Sequence, residues 1–122
     1  MSRRERALRL RHMLDHAKEA LSMVDGRTRA DLDCDRQLNL SLVRLLEIIG
    51  EAAGRMPGKF RDSQPGVPWP EIICLRNRLI HGYDQVDFDV LWEIVTKDLP
   101  NLASELERIL NSEGDCEDDQ NG

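Results

Sequence analysis

The spacing of the apolar residues is the feature that most constrains the fold of this chain. Apolar side chains recur at intervals of three and four residues, with charged side chains between them, whereas strict alternation is nearly absent. This period places the apolar side chains on one face of an α-helix, while a half-buried strand requires alternation. The sequence therefore predicts an all-α protein. The first apolar face consists of Leu10, Met13, Leu14, Ala17, Leu21 and Val24.

Glycine, proline and aspartate residues indicate where the first helices begin and end. Gly26 should end the first helix, and Asp31 or Asp33 should cap a second helix that runs to Ala53. Residues 54–68 contain Gly and Pro at six positions, which predicts a long loop.

Three further helices are expected after this loop. A third helix should span about residues 69–81, with Pro70 in its first turn and Gly82 as its C-cap. Asp87 should cap a fourth helix over residues 88–97, and Pro100 should open or kink a last, short helix that reaches Leu110. The predicted fold is a helical bundle of four main helices plus a short C-terminal helix.

The negative charge of the chain is concentrated at its C-terminus. Residues 113–122 contain five acidic residues and no Lys or Arg, although the net charge of the whole chain is only -6. A charged segment without apolar residues cannot bury enough surface to fold. We therefore expect one folded domain over residues 1–111 and an acidic, disordered tail over residues 112–122. Basic residues cluster at the N-terminus, where they could contact phosphates, but we interpret them as the solvated start of a helix: Arg3, Arg4, Arg6, Arg9 and Arg11.

Several classes of protein are disfavoured by the composition. No apolar run reaches the length of a membrane span, and no signal peptide is visible. The three cysteines are far apart and odd in number, which argues against a disulfide scaffold and favours a cytoplasmic protein. His12 and His16 are one helical turn apart but lack a third ligand, so we interpret them as surface or interface residues. We expect no metal and no cofactor.

A polar cluster stands out in the predicted third helix, because unpaired charges are costly to bury. Arginine holds phosphates, and histidine transfers protons near neutral pH. Together they suit metal-free RNA cleavage, in which His81 moves a proton at the 2′-hydroxyl or the leaving 5′-oxygen and Arg76, alone or together with Arg78, stabilises the transition state. The product would carry a 2′,3′-cyclic phosphate. The cluster consists of Arg76, Asn77, Arg78, His81 and Tyr83.

The helical spacing suggests how the cluster could be arranged. Asn77 and His81 are four residues apart, so on a helix Asn77 could orient the imidazole. Arg76 and His81 are five apart and do not share a line on a straight helix. Either His81 projects from the last turn before Gly82, or two copies of the chain meet at a twofold axis and build one cleft.

A purely structural explanation of the cluster is also open. Arg76 or Arg78 could form ion pairs with carboxylates of neighbouring helices, His81 could be a helix cap, and Tyr83 could be a packed aromatic residue. The candidate carboxylates are Glu47, Glu51 and Glu71. Glu47 and Glu51 could instead orient an arginine of the cluster or be simply exposed.

The pattern R-x-x-x-x-H-x-Y at residues 76–83 resembles the signature of the HepT toxins of the HEPN superfamily. The resemblance extends over about residues 5–110. It includes residues 46–53, which are similar to the second-helix segment of that family, and residues 67–69, which are similar to its proline-tryptophan entry into the motif helix. Residues 86–87, 91–92 and 98–100 resemble its C-terminal helices.

This resemblance implies a function and a partner. HepT-like proteins are small helical RNases that dimerise and place the motif Arg and His in a shared cleft. They are the toxins of toxin–antitoxin systems of type VII, and the antitoxin is a minimal nucleotidyltransferase that transfers AMP from ATP to the motif tyrosine. The resemblance thus implies that Arg76 and His81 are catalytic, that Asn77 supports them, that Tyr83 is AMPylated, and that the substrate is tRNA or mRNA.

Two other functions remain open from the sequence. The chain could be a non-catalytic substrate- or nucleotide-binding subunit of a nucleotidyltransferase complex, in which the cluster binds a phosphate for the partner enzyme. It could also be a purely structural helical dimer, which leaves the clustered polar residues unexplained. Loss of toxicity on replacing His81 would separate the nuclease from the binding subunit.

Overall fold

The computed structural model of the chain describes residues 1–83 and 85–121, with side chains described up to residue 112. Apart from Ser112, the predicted acidic tail lies outside the residues whose side chains are described, and so does Cys116. No helix in the described part of the chain is both long and apolar enough to cross a membrane.

The described residues form a helical bundle with one small β-hairpin, so the all-α prediction is confirmed apart from the hairpin. The hairpin pairs β1 (Ile80–His81) with β2 (Gln85–Val86) in antiparallel register, and a π-helical turn (Ile94–Asp98) joins the last two helices. The helices are α1 (Arg3–Val24), α2 (Asp31–Cys34), α3 (Arg36–Gly54), α4 (Gly58–Ser63), α5 (Trp69–Ile73), α6 (Leu75–Leu79), α7 (Phe88–Glu93) and α8 (Leu99–Asn121).

The core lies between α1, α3 and α8, and α3 packs with its other side on α5 and α6. The predicted apolar face of α1 is confirmed, because Leu10, Met13, Leu14 and Ala17 are fully buried. Burial of such side chains is the main favourable contribution to folding. The long helix α3 therefore connects the core to the short helices that hold the polar cluster.

The start of the second main helix differs from the prediction. Asp35 caps α3, since its Oδ1 accepts a hydrogen bond from the backbone N–H of Leu38 at 3.0 Å. The predicted caps Asp31 and Asp33 lie instead within the single-turn helix α2. The carboxylate of Asp31 instead accepts a hydrogen bond from the backbone N–H of Thr28 at 2.7 Å, in the turn that precedes α2. The end of α1 is as expected, with Gly26 at a φ of 74° just beyond it.

The predicted long loop over residues 54–68 contains a helix, α4, and is packed against the core. Phe60 of α4 is buried and meets Trp69 edge-on, with ring centroids 6.2 Å apart. The guanidinium of Arg6 lies 4.6 Å from the centre of the Phe60 ring. Aromatic contacts of this kind give a Gly- and Pro-rich segment enough buried surface to be ordered.

The C-terminal helices also differ from the prediction, because α7 continues through the π-helical turn into α8 without a break. Pro100 lacks a backbone N–H and its ring clashes with the carbonyl four residues earlier in an α-helix. A wider π turn directly before Pro100 relieves that clash, and the N–H of Leu99 donates to the carbonyl of Ile94. The last helix is therefore long, and the predicted short C-terminal helix is wrong.

Candidate active site

The predicted third helix is wrong in its second half, and the difference reshapes the polar cluster. The predicted helix is interrupted at Cys74 (φ -92°, ψ 13°), which separates α5 from α6, and α6 ends at Leu79. The carbonyl of Leu79 accepts the backbone N–H of Asp87 at 2.8 Å, so the chain leaves the helix and turns back on itself. Gly82, at a φ of 71°, allows this hairpin turn and is not a helix C-cap.

Arg76 and Asn77 lie on α6 beside a cavity of about 330 Å³ between α3 and the α5–α6 segment. Gly50 of α3 permits this close approach, because a Cβ at that position would lie 3.0 Å from the carbonyl oxygen of Ile72. The cavity is lined by Glu47, Gly50, Glu51, Gly54, Ile73, Arg76 and Asn77.

The ion pairs that a structural explanation requires at Arg76 are not formed. Within the described part of the chain, Arg76 makes no ion pair, although Glu47 and Glu51 line the same cavity. Glu47 contacts Arg44 instead, with the nitrogen and oxygen 4.0 Å apart. An exposed guanidinium beside a cavity is available to bind an anion such as a phosphate.

Arg78 lies on a different side of α6 and is engaged by another residue. Its Nη2 lies 3.2 Å from Oδ2 of Asp98, in the π-helical turn, and both residues line a separate cavity of about 270 Å³. The expected supporting role of Arg78 stays a prediction. Its guanidinium fixes the motif segment against the end of the π-helical turn.

His81 stands on the hairpin, with its side chain 63% exposed, and faces Asp87. The distance from Nε2 of His81 to Oδ2 of Asp87 is 3.5 Å. The other oxygen, Oδ1, accepts the backbone N–H groups of Asp89 at 3.0 Å and Val90 at 3.1 Å, which confirms Asp87 as the cap of α7. One carboxylate therefore both begins a helix and faces the imidazole.

The contact between His81 and Asp87 is the feature of the site that helical periodicity missed. Asn77 was expected to orient His81 from one turn earlier on the same helix, which is wrong because His81 is not on that helix. The signal that could have revealed the contact is His81-Gly82 followed closely by Asp87. A glycine shortly after a helix end is typical of a chain reversal, which brings the flanking residues together.

Arg29 holds the start of α7, and hence Asp87, in place. Its Nε donates to Oδ1 of Asp89 at 2.7 Å, and its Nη1 lies 3.0 Å from Oδ2 of Asp33. The hydrogen bond with Asp89 is the main cause that raises the pKa of Arg29 above its ordinary value. This link ties α2 to the first turn of α7.

Tyr83 lies at the tip of the hairpin and is 96% exposed. The alternative that it is a packed aromatic residue is therefore wrong. Its position two residues after His81 places an exposed phenol close to the imidazole in sequence.

The described residues contain no group of three or more His, Cys, Asp or Glu side chains that could hold a metal ion. Cys34 and Cys74 are exposed free thiols. In α1, Nδ1 of His16 lies 2.6 Å from the carbonyl oxygen of His12, and both residues line a cavity between α1 and α3.

A small helical bundle that exposes Arg76, His81 and Tyr83 around a helix end is a protein of the HEPN type. The sequence matches the family model described as ribonuclease HepT-like over residues 13–109. The chain belongs to the HepT-like ribonuclease family.

Three relatives are similar over nearly their whole length. A probable ribonuclease HepT of Thermococcus cleftensis is 37% identical over 79% of this chain and 91% of its own. A protein of Caldanaerobacter subterraneus with a provisional RNase name is 38% identical over 85% of this chain and 93% of its own. A protein of Methanocaldococcus jannaschii, also provisionally named an RNase, is 35% identical over 88% of this chain and 98% of its own. No solved structure matches.

Proposed function

We propose that this chain is the toxin of a type VII-like toxin–antitoxin system and a metal-independent endoribonuclease that cleaves tRNA or mRNA in the cytoplasm. Family membership and the RNase names of its relatives support an RNase. The observation that carries the proposal is the exposed imidazole of His81 beside the carboxylate of Asp87, within the same short segment as Arg76, which no described carboxylate pairs.

The proposed reaction is an internal transfer at one RNA phosphate. The 2′-oxygen attacks the adjacent phosphorus and loses its proton, the bond from phosphorus to the 5′-oxygen breaks, and that oxygen gains a proton. The products are a 2′,3′-cyclic phosphate and a free 5′-hydroxyl. His81 transfers a proton in one of these steps, and Arg76 stabilises the extra charge on the phosphate oxygens. Asn77, which lines the same cavity, is positioned to contact the RNA beside Arg76.

Asp87 has a positioning role in this mechanism. An N–H at Nε2 of His81 would point towards Oδ2 of Asp87, which leaves Nδ1 as the nitrogen that exchanges the proton with RNA. The separation of 3.5 Å is longer than a good hydrogen bond, and catalytic hydrogen bonds commonly tighten when substrate binds. Asp87 therefore holds one tautomer of the imidazole and one ring orientation.

The proposed active form is a homodimer with twofold symmetry. Arg76 lines a cavity against α3, whereas His81 stands on the hairpin and does not line that cavity. Two copies packed across a symmetry axis would bring both residues of each copy into one cleft.

The proposed partner is a minimal nucleotidyltransferase that transfers AMP from ATP to Tyr83. The phenol is almost fully exposed, as a substrate of another enzyme must be. The bond forms between the tyrosine oxygen and the α-phosphorus, and pyrophosphate leaves. An adenylate two residues from His81 would add bulk and negative charge, which obstructs the cleft and repels RNA phosphates.

The test of the nuclease is RNA cleavage in the presence of EDTA. The protein is purified without its antitoxin, its mass confirms that Tyr83 is unmodified, and total RNA is added beside a His81→Ala control. We expect cyclic phosphate ends from the wild type and none from the variant. Absence of cleavage by unmodified protein, or equal cleavage by both proteins, contradicts the proposal.

The second candidate function is a non-catalytic nucleotide-binding subunit of a nucleotidyltransferase complex. The cavity beside Arg76 favours it, because about 330 Å³ with a guanidinium and an amide at its edge suits a phosphate-bearing group. In that case wild-type protein does not cleave RNA, and His81→Ala changes only partner binding or modification. Incubation with the transferase and ATP, with Tyr83→Phe as the control, then measures modification separately.

A further inference from the structure

A second cavity, basic in character, lies next to the one that Arg76 lines. It measures about 250 Å³ and lies between α1 and the C-terminal half of α3. Arg9, His12 and His16 line it from α1, and Arg55 lines it from the end of α3. The positions 9, 12 and 16 follow helical spacing, so these three side chains share one face of α1.

The two cavities adjoin each other, because Glu51 lines both of them. We call the two adjoining cavities together the α3 groove; Arg76 lies in one of them, and Arg9 and Arg55 lie in the other. Both cavities lie along the same stretch of α3, and each extends over seven residues of that helix, which is about 11 Å at the usual helical rise.

The three arginines of the α3 groove differ from five other arginines of the bundle. Those at positions 27, 29, 44, 78 and 108 each lie within 4.0 Å of a carboxylate oxygen. Arg9 and Arg55 form no ion pair with any residue that the structure describes, and neither does Arg76. Three guanidinium groups that no described carboxylate pairs outnumber the two glutamates of the lining, which favours an anionic ligand.

The histidines add neutral hydrogen-bonding capacity at the same place. The Nδ1–H of His16 donates to the carbonyl oxygen of His12, 2.6 Å away, which leaves Nε2 of His16 as its free ring nitrogen. A free imidazole nitrogen can accept a hydrogen bond from a ribose 2′-hydroxyl. No Phe, Tyr or Trp side chain, whose large rings would stack on bases, is among the residues that line either cavity.

We propose that the α3 groove binds the backbone of single-stranded RNA that extends from the scissile phosphate at Arg76. Arg9 and Arg55 hold phosphates beyond the cleavage position, and His12 and His16 lie beside the sugars. This inference rests on the proposed ribonuclease function. Recognition through phosphates without stacking predicts binding that is sensitive to salt and nearly independent of sequence.

The test compares two matched double variants. Arg9→Ala/Arg55→Ala removes one arginine of α1 and one at the end of α3, both in the groove. Arg11→Ala/Arg36→Ala removes one exposed arginine from each of the same two helices, but neither residue lines the groove. Both pairs are made in a His81→Ala background, so that a fluorescein-labelled single-stranded RNA stays intact while anisotropy measures its affinity.

We expect the groove pair to weaken RNA binding about tenfold or more at low salt, and the control pair to change it less than twofold. The slope of log affinity against log salt concentration should become shallower by about 1.4 in the groove pair, since each lost single-strand phosphate contact removes about 0.7. Arg9→Lys/Arg55→Lys should restore most of the affinity, because the charge is retained. Glu51→Gln should tighten binding by removing a repulsive charge.

Equal losses in the two double variants, or no loss in either, would overturn the groove proposal, provided that circular dichroism and thermal melting show folded proteins. The outcome is separable from the nuclease test. Wild-type cleavage in EDTA together with unchanged binding by the groove pair refutes the groove alone. Specific loss of binding by the groove pair supports the groove even if the wild type does not cleave RNA.

Discussion

Asp87 uses its two carboxylate oxygens for two different contacts. Oδ1 accepts two backbone N–H groups at the start of α7, and Oδ2 faces the imidazole of His81. An ordinary helix cap leaves the second oxygen in water. Here the cap also fixes the residue to which we assign proton transfer, so the two contributions can be separated by substitution.

Asp87→Asn should lower the turnover number for RNA about fivefold while leaving the stability nearly unchanged. Asparagine caps helices as well as aspartate does, but it lacks the negative charge that holds the imidazole. The loss corresponds to about 1 kcal/mol, the usual contribution of one hydrogen bond. Single-turnover cleavage measures the rate, and urea unfolding measures the free energy of unfolding.

Asp87→Ala serves as the comparison, because it removes both contacts. It should cost about 1 kcal/mol of stability in addition to the loss of rate. Nitrogen chemical shifts of His81 report the tautomer directly, and they should change in Asp87→Asn. A variant with unchanged rate and unchanged tautomer would show that Asp87 is only a cap.

At the scale of elements, the β-hairpin determines where His81 stands. The strands contain two residues each, and the turn between them depends on Gly82 with a positive φ. An L-residue other than glycine is strained in this conformation. Gly26, after α1, has almost the same φ, and an added Cβ would meet no atom within 4 Å at either glycine.

Gly82→Ala and Gly26→Ala should therefore each cost about 1 kcal/mol of stability, from backbone strain alone. Only Gly82→Ala should also reduce RNA cleavage, because it alters the hairpin that carries His81. Urea unfolding and cleavage rates measured on both variants check this expectation. Equal activity in the two variants would mean that the hairpin does not set the position of the imidazole.

Gly50→Ala should destabilise the protein by about 1 kcal/mol, whereas Gly54→Ala should be neutral or slightly stabilising. Alanine is favoured over glycine by about 1 kcal/mol in the interior of a helix, which applies to Gly50, and by less at Gly54, the last residue of α3. At Gly50 the new Cβ would lie 3.0 Å from the backbone carbonyl oxygen of Ile72. We expect the free-energy cost of this close contact to exceed the gain in helix propensity. At Gly54 it meets only a side-chain carbon of Ile73 at 3.8 Å. Thermal melting of the two variants gives the comparison.

The sequence predicted those elements whose local signals agree with their packing. The apolar face of α1, the cap at Asp87 and the positive φ of Gly26 are all local features, and all are found. The hairpin was missed because Leu79 and Ile80 continue an apolar helical pattern. What ends α6 is the hydrogen bond from Asp87, eight residues later, which no local pattern reveals.

In the candidate site, too, the features with local sequence signals were predicted, and those that depend on contacts distant in sequence were not. The residue types at positions 76, 81 and 83 indicated the chemistry, and their exposure agrees with accessibility to ligands. The partners could not be derived from spacing, because Asp98 and Asp87 approach Arg78 and His81 only after the chain reverses. Helical spacing therefore suggested Asn77 as the neighbour of the His81 imidazole, whereas the structure places Asp87 beside it.

At the scale of the whole molecule, the two residues assigned to catalysis lie against different structural elements. Arg76 stands against α3, and His81 stands against the start of α7. In the proposed dimer, the shared cleft would contain two catalytic pairs, each of which combines Arg76 of one copy with His81 of the other. A mixture of two inactive variants can test this arrangement.

Mixing Arg76→Ala with His81→Ala protein should restore about a quarter of the wild-type activity if each catalytic pair uses residues of both copies. Random exchange makes half of the dimers mixed, and each mixed dimer has one intact catalytic pair of two. If Arg76 and His81 of the same copy act together, mixing restores nothing. Cleavage assays after subunit exchange, with the dimer mass confirmed by ultracentrifugation, give the answer.

The exposure of Tyr83 has a consequence for how this protein can evolve. Because its side chain is 96% exposed, a substitution at position 83 removes almost no packing, and folding places little selection on it. If AMPylation of Tyr83 is the brake on the nuclease, then mutations at this position yield folded enzymes that escape inhibition. A cell that carries such a mutation is harmed by a gain of activity, so natural selection would maintain the tyrosine through the survival of the host.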